Sequence, residues 1–218
     1  MRKRPLLTLM ACVFLFHLAN AAMLPLIGSA VATRSSQWAT ALVAACVVVP
    51  QLIVAMISPR IGKLAHSCGR RPLLLTGYTA LTVRGLLLAW TNQPPSIVAV
   101  QMLDGISAAT FAVMVPLMLA DIMRGTGRLN LAQGMMGVVV GVGATLSTIA
   151  AGYLADRLGT SMAFLALGMI GGCGLLLVLS AMPEATPRPN GEKLRSSSAR
   201  CGQAAAFRAV SSDVSAAR

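Results

Sequence analysis

Residues 62–72 read GKLAHSCGRRP and join two long apolar runs of the chain. The stretch carries the cations Lys63, Arg70 and Arg71, and two glycines, Gly62 and Gly69, punctuate it. Apolar runs of membrane length joined by a short basic connection are typical of polytopic membrane proteins, in which the cations mark the cytoplasmic side. The stretch therefore predicts a fold whose solvent is a lipid bilayer, and an orientation within that bilayer.

The composition supports a membrane fold. Of the 218 residues, 56% are hydrophobic and only 11% are charged, and the mean hydropathy is +0.75. This is too little polar surface to cover a soluble globule. A helix that crosses a hydrocarbon core of roughly 30 Å needs about 20 mainly apolar residues. Six stretches meet this requirement: about residues 6–31, 38–58, 72–90, 96–122, 130–154 and 161–182.

The six runs are continuous and lack the alternation of polar and apolar residues that marks β-barrel strands. We therefore predict an all-α polytopic membrane protein with six transmembrane helices in one domain, residues 1–183. Residues 184–218 lack apolar periodicity, which predicts a disordered cytoplasmic tail. The first span has a second interpretation, because Ala19-Asn20-Ala21 resembles a signal-peptide cleavage site. Its apolar character continues to Val31, so we favour a retained helix.

The basic residues fall on alternate connections between the spans. The amino end, the second and fourth connections and the tail carry all 18 Lys and Arg residues except Arg34, Arg84 and Arg157. The positive-inside rule makes these connections and both termini cytoplasmic. A net charge of +12 would suit nucleic-acid binding in a soluble protein. Here the cations lie in short turns beside apolar spans, so anionic lipid headgroups are the expected partner and nucleic acid is not.

The sequence carries no motif of an enzyme. It has no Ser/His/Asp set in a plausible loop, no HExxH and no Gly-rich phosphate loop, so we predict no catalytic residues, no cofactor and no nucleotide-driven pump. The five cysteines are scattered without metal-like spacing. We accordingly predict neither a metal site nor a disulfide.

The basic stretch resembles the signature loop of the major facilitator superfamily, which joins two membrane helices on the cytoplasmic side. Its matches, in order and spacing, are Gly62, Leu64, Gly69, Arg70 and Arg71. His66 stands where the family usually has an aspartate that takes part in a charge network latching one conformation. The resemblance implies an altered latch, for which Asp121, at the cytoplasmic end of the fourth span, is the candidate anion.

Other segments extend the resemblance to about residues 5–183. Residues 152–159 (GYLADRLG), followed by Phe164, are similar to the turn before the last helix of a six-helix half, and residues 101–107 and 121–134 look like a subgroup of bacterial facilitators. The order of features suits the carboxy-terminal half of the family's twelve-helix fold, so the resemblance implies a half-length or truncated transporter in a bacterial-type inner membrane.

The implied function is secondary active transport of a small solute by alternating access, with proton-coupled efflux as its most concrete version. The implied partners are an unidentified small molecule and either a second copy or a separate complementary half. A different class of function stays open, in which the chain is a non-transporting membrane fragment or a scaffold that dimerises through its glycine faces.

Two charges lie inside the predicted spans. By helix geometry, Arg84 is about 18 Å from the cytoplasmic face and Asp104 about 12 Å from the opposite face. Because these depths coincide in a core of roughly 30 Å and isolated charges are costly there, we predict that the two side chains pair. Such a pair serves either as a coupling or substrate site or as an ion pair that ties two helices together.

A weaker group of polar residues is predicted near a central cavity. His17 and Asn20 share a face of the first helix, and Gln51 lies in the second span. Hydrogen bonding between helices explains these residues equally well. Glycines on the last two spans predict close approach of neighbouring helices: Gly137, Gly141, Gly143, Gly168 and Gly172.

Overall fold

The apolar runs form long helices. The structure, a computed structural model, describes residues 3–32, 39–91 and 93–181. Within these ranges every element is an α-helix: α1 (Lys3–Asn20), α2 (Met23–Ala32), α3 (Ala39–Ser67), α4 (Arg70–Trp90), α5 (Pro94–Ile122), α6 (Leu129–Leu158) and α7 (Thr160–Ala181). The predicted tail, residues 184–218, lies outside the described residues.

Six helical segments are long and apolar enough to cross a membrane. Helices α1 and α2 together supply the first segment, Arg4–Val31, and α3 to α7 supply the other five. The predicted fold class, an all-α polytopic membrane protein with six spans, is therefore confirmed.

The first span is broken at Ala21 and Ala22, where α1 ends and α2 begins. Pro25 explains the break, since it lacks the N–H that a continuous helix would donate to the carbonyl of Ala21, and its ring crowds that carbonyl. The Ala22 N–H instead donates to Oγ of Ser147 on α6, at 3.1 Å. A side chain far away in sequence thus satisfies a backbone group that the break leaves open.

The basic stretch is more helical than a loop. Helix α3 continues through Gly62 and Leu64 to Ser67, and α4 starts at Arg70, so only Cys68 and Gly69 lie between the helices. Residues 60–67 contain no proline, and nothing stops the helix before Gly69, whose φ of 82° lies in the left-handed region that favours glycine. The junction of α6 and α7 repeats this device at Gly159, with φ 89°.

Small residues let the helices approach closely. A Cβ at Gly85 of α4 would lie 2.6 Å from Cα of Gly168 on α7, so these two backbones are in direct contact. Gly143 of α6 packs in the same way against α1, where a Cβ would lie 3.0 Å from the carbonyl oxygen of Phe14. A Cβ added at Gly137 or Gly141, in contrast, would have no atom of the described chain within 4 Å.

An aromatic cluster fills the centre of the bundle. Phe16 of α1 stacks on Phe111 of α5 with ring centroids 3.7 Å apart, and Tyr78 of α4 meets Phe111 edge to face. The Tyr78 hydroxyl donates to the carbonyl oxygen of Cys12, which satisfies its polar end in an apolar core. The cluster ties α1, α4 and α5 together.

Two helices are largely unburied. In the most apolar 18-residue stretch of each helix, 11% of α3 and 17% of α6 is buried, against 50% of α4. Helix α6 exposes two distinct faces. Its small polar face comprises Asn130, Gln133, Gly137, Gly141, Thr145 and Thr148, and its apolar face comprises Leu131, Met135, Val138, Val142, Leu146 and Ile149. Lipid chains suit the second face, whereas the first is suited to water or another helix.

The cysteines differ from the prediction at one position. Cys68 is disulfide-bonded in the structure, so the expectation of no disulfide is wrong there. Cys12, Cys46 and Cys173 are free. Sequence spacing could not indicate this bond, because the cysteines of the chain follow no recognisable framework.

Candidate functional site

The centre of the bundle holds a buried ion pair. Nη1 of Arg84, on α4, lies 2.6 Å from Oδ1 of Asp104, on α5. The Arg84 side chain is only 1% exposed, whereas that of Asp104 is 21% exposed. The structure thus brings together the two charges expected at matching depths, and the carboxylate is the member of the pair that reaches accessible space.

Arg84 is held by two further side chains. Its Nη1 also donates to Oδ1 of Asn20 at 2.5 Å, and its Nε donates to Oε1 of Gln101 at 2.9 Å. These acceptors belong to α1 and α5 respectively. Hydrogen bonds from the guanidinium to several acceptors offset the free energy lost when this group is removed from water.

Both acceptors adjoin a proline-induced irregularity in a helix. Asn20 is the last residue of α1, immediately before the break imposed by Pro25. Gln101 donates through Nε2 to the carbonyl oxygen of Cys46, at 3.3 Å. Cys46 lies four residues before Pro50 in α3, so its carbonyl lacks the N–H partner that a regular α-helix would give it. The charge pair is therefore connected to the break between α1 and α2 and to the proline position of α3.

Gln101 was missed by sequence reasoning. It is fully buried and lies three residues before Asp104, on the same helix face. An amide side chain in an apolar span at that spacing from an acid was the available signal. Its link to Cys46 could not be read from sequence, because the link depends on how α3 packs on α5.

The other candidate cavity residues do not join this network through any described contact. The His17 ring meets Phe16 edge to face, with centroids 5.3 Å apart. Gln51 is exposed on α3. Of the three residues predicted to line a cavity, the structure places only Asn20 at the charge pair.

A second charge cluster lies at the basic end of the bundle, defined by Arg60, Lys63, Arg70, Arg71, Arg124 and Arg128. Arg70, at the start of α4, forms an ion pair with Asp121 near the end of α5. Nη2 of Arg124 lies 3.9 Å from the same carboxylate. The structure thus brings the candidate latch anion to the first arginine of the signature stretch.

The second arginine of that stretch has a different role. Nη2 of Arg71 donates to the carbonyl oxygen of Leu179, in the last turn of α7, at 2.7 Å. A cation at a helix carboxyl end is stabilised by the unpaired carbonyls there. His66 belongs to α3, and its side chain lies outside the described part of the structure.

The described residues offer no obvious site for a metal ion, since no three His, Cys, Asp or Glu side chains among them are grouped to hold one. The chemistry available at the centre is instead that of one carboxylate, one guanidinium and two amides. Such a set can bind or release a proton at the carboxylate and can hold a polar solute by hydrogen bonds.

Comparison with known proteins supplies a family. Residues 9–216 match the family model of the Major Facilitator Superfamily. Two curated proteins from two strains of Mycobacterium tuberculosis, MT2531 and Rv2456c, each named as an uncharacterised MFS-type transporter, are 40% identical over 181 residues. The alignment covers 83% of this chain and 43% of each relative, so the chain spans less than half the length of these relatives.

Proposed function

Because this chain belongs to the major facilitator superfamily, we propose that it supplies six helices of a secondary transporter in which Asp104 carries the coupling proton. The observation that carries the proposal is the central pair, in which Arg84 is buried and Asp104 is partly exposed. A carboxylate inside a membrane is costly, and a reversible proton is a common reason for its presence. The proposed transport is efflux of a small solute by alternating access.

The proposed cycle depends on competition at one carboxylate. In the ionised state Asp104 neutralises Arg84. When Asp104 binds a proton, Arg84 keeps its charge and loses its ionic partner, so the helices that surround it rearrange to supply other acceptors. Release of the proton on the other side of the membrane restores the pair, and the solute moves in the opposite direction.

The exposed helices support a larger assembly. Helices α3 and α6 bury little of their surface, and the small polar face of α6 is unsuited to lipid. A second set of six helices packed on α3 and α6 would cover both and leave the central pair near the interface. Alternating access then consists of rocking one six-helix set against the other.

The proposed orientation places the basic end in the cytoplasm of a bacterial inner membrane. Two of its six cations, Arg70 and Arg124, lie at Asp121, and lipid headgroups with negative charge are the proposed partners of the cluster. A cysteine introduced at Thr126, beside this end, tests the orientation in a chain whose Cys68, Cys173 and Cys201 are replaced by serine. Membrane-impermeant maleimide should label it in inverted membrane vesicles and leave it unlabelled in intact cells; the opposite pattern would overturn the orientation.

Infrared spectroscopy tests the coupling role without any knowledge of the solute. The full chain in lipid is titrated between about pH 5 and pH 8, and the C=O band of protonated carboxylic acids is recorded. Subtraction of the spectra of Asp104→Asn isolates the signal of Asp104. A band present in the parent chain and absent from Asp104→Asn would show that Asp104 takes up a proton, whereas the absence of such a band throughout would leave only the role of a structural ion pair.

Flux measurements test transport itself. Vesicles that contain the chain are given an imposed pH gradient, with ethidium as the probe solute. We expect accumulation that collapses with the gradient and is lost in Asp104→Asn, while the matched control Asp156→Asn, at the exposed end of α6, retains it. Flux that persists in Asp104→Asn would exclude Asp104 as the proton carrier.

Association through α6 is a second candidate function. Gly137 and Gly141 lie on its small polar face with open space above them, which favours close packing of another helix there. We propose a second copy of the chain as the occupant of this surface in that case. The scaffold alternative predicts self-association in membranes without solute flux.

A further inference from the structure

Gln101 of α5 links the buried Arg84 side chain on α4 to the backbone of α3. Its side chain is fully buried on α5. Its Oε1 accepts a hydrogen bond from Nε of Arg84, and its Nε2 donates to the carbonyl oxygen of Cys46. One amide therefore uses its two ends for different partners, a cation on α4 and a backbone group on α3.

The acceptor on α3 is a special one. Within a regular helix, the Cys46 carbonyl would accept the N–H of the residue four positions later, which is Pro50 and has none. An unsatisfied carbonyl inside an apolar region costs free energy comparable to a lost hydrogen bond. A proline inside a helix commonly bends it, so we expect a bend in α3 at Pro50. The Gln101 amide replaces the missing donor at this position from another helix.

The two helices also touch at this level. A Cβ at Gly105 would lie 2.6 Å from Cβ of Ile53 and 2.8 Å from the carbonyl oxygen of Pro50. Gly105 directly follows Asp104 in the chain. Movement of α5 at Asp104 therefore meets the Ile53 side chain and the backbone of α3 at Pro50 directly.

We propose that Gln101 is a positioning residue that couples the state of the Arg84–Asp104 pair to the bend of α3 at Pro50. While Asp104 is ionised, Arg84 is held in place and offers its Nε to Gln101, whose other end stays on the Cys46 carbonyl. When Asp104 is neutralised, the Arg84 side chain shifts towards its remaining acceptors, Asn20 and Gln101. Gln101 transmits this displacement to α3. This proposal rests on the proposed function, in which the movement of α3 is part of the transport cycle.

Spin-label distances on α3 test the coupling directly. Labels on Thr40→Cys and Met56→Cys, both exposed, lie on either side of Pro50 and about 24 Å apart along the helix. The full chain is used in lipid, with Cys68, Cys173 and Cys201 replaced by serine. Asp104→Asn mimics the neutral carboxyl group. We expect it to shift the mean distance between the labels, because the bend changes.

The role of Gln101 is isolated by adding a second substitution. Gln101→Met keeps the length of the side chain and removes both polar ends, so the shift caused by Asp104→Asn should fall by at least half. The matched control, Gln51→Met, alters an exposed glutamine beside Pro50 and should leave the shift intact. An equal shift with and without Gln101, or no shift in Asp104→Asn alone, would overturn the proposal.

Pro50→Ala provides a test that does not depend on label distances. Alanine restores the N–H that bonds to the Cys46 carbonyl, so Gln101 is no longer needed there. Gln101→Met should therefore lower the unfolding temperature less in the Pro50→Ala background than in the parent chain. An equal fall in unfolding temperature in both backgrounds would show that the hydrogen bond from Gln101 to Cys46 does not contribute to stability.

The outcomes separate this proposal from the transport proposal. The distances are measured without solute or gradient, so a chain that moves no solute can still show Gln101-dependent coupling. Conversely, the infrared titration can detect a proton on Asp104 while the distance shift on α3 is the same with and without Gln101. The first result would count against the proposed function alone, and the second against the role of Gln101 alone.

Discussion

At the scale of single residues, the two ends of the central ion pair are unequal. Arg84 is almost completely enclosed, while about a fifth of Asp104 is exposed. An unpaired charge is more costly where water cannot reach it, and removing one partner of a buried pair costs about 3–5 kcal/mol. Asp104→Leu, which leaves Arg84 unpaired, should therefore destabilise the chain more than Arg84→Met.

A double-mutant cycle on unfolding of the purified chain in detergent checks this asymmetry. The double variant Arg84→Met/Asp104→Leu should be more stable than the sum of the single losses indicates, because it contains no unpaired charge. Additive losses would mean that the pair contributes nothing as a pair.

The ion pair at the basic end should behave differently. The side chains of Arg70 and Asp121 are 31% and 34% exposed, so water and salt screen their attraction. Exposed pairs contribute about 1 kcal/mol or less. Asp121→Asn should therefore change the unfolding temperature slightly, and the change should shrink at high salt. A large loss that is independent of salt would indicate that this pair carries the stability of the α4 and α5 ends.

At the scale of helices, the contact of α4 with α7 sets a steric limit. Gly85→Ala would place a methyl group 2.6 Å from Cα of Gly168, so the two backbones must separate. We expect a marked fall in the unfolding temperature, since backbone atoms cannot move aside as a flexible side chain can.

Gly137→Ala is the matched control for this steric effect. No atom of the described chain lies within 4 Å of its new methyl group. Alanine is favoured over glycine in a helix by about 1 kcal/mol, so the isolated chain should keep or gain stability. A similar loss in both variants would assign the effect to helix propensity rather than to the contact of α4 with α7.

The helices also define what could be predicted from sequence. The length and hydropathy of the apolar runs are local properties, so the six spans could be predicted from the sequence alone. The equal depths of Arg84 and Asp104 followed from helix rise. The partner of the Ala22 N–H and the role of Gln101 depend on packing between distant helices, which no local pattern contains. The basic stretch was expected to be a loop because its charges suggested solvent, but charged residues extend a helix readily beyond the membrane.

At the scale of the whole molecule, the unburied faces of α6 indicate where the bundle meets its surroundings. The small polar face and the apolar face lie on different sides of one helix, so they cannot both contact the same partner equally. We expect the small polar face to meet protein and the apolar face to meet lipid.

Disulfide crosslinking in native membranes tests this assignment, in a chain whose Cys68, Cys173 and Cys201 are replaced by serine. Gly141→Cys presents a thiol on the small polar face, and Leu146→Cys presents one on the apolar face of the same helix. If copies of the chain associate through the small polar face, oxidation should yield a dimer from Gly141→Cys and far less from Leu146→Cys. A dimer from Leu146→Cys alone would reverse the assignment of the two faces. A monomer from Gly141→Cys, with its thiol protected from membrane-soluble maleimide, would instead indicate that a complementary set of helices covers this face, which favours a two-part transporter over a scaffold of identical copies.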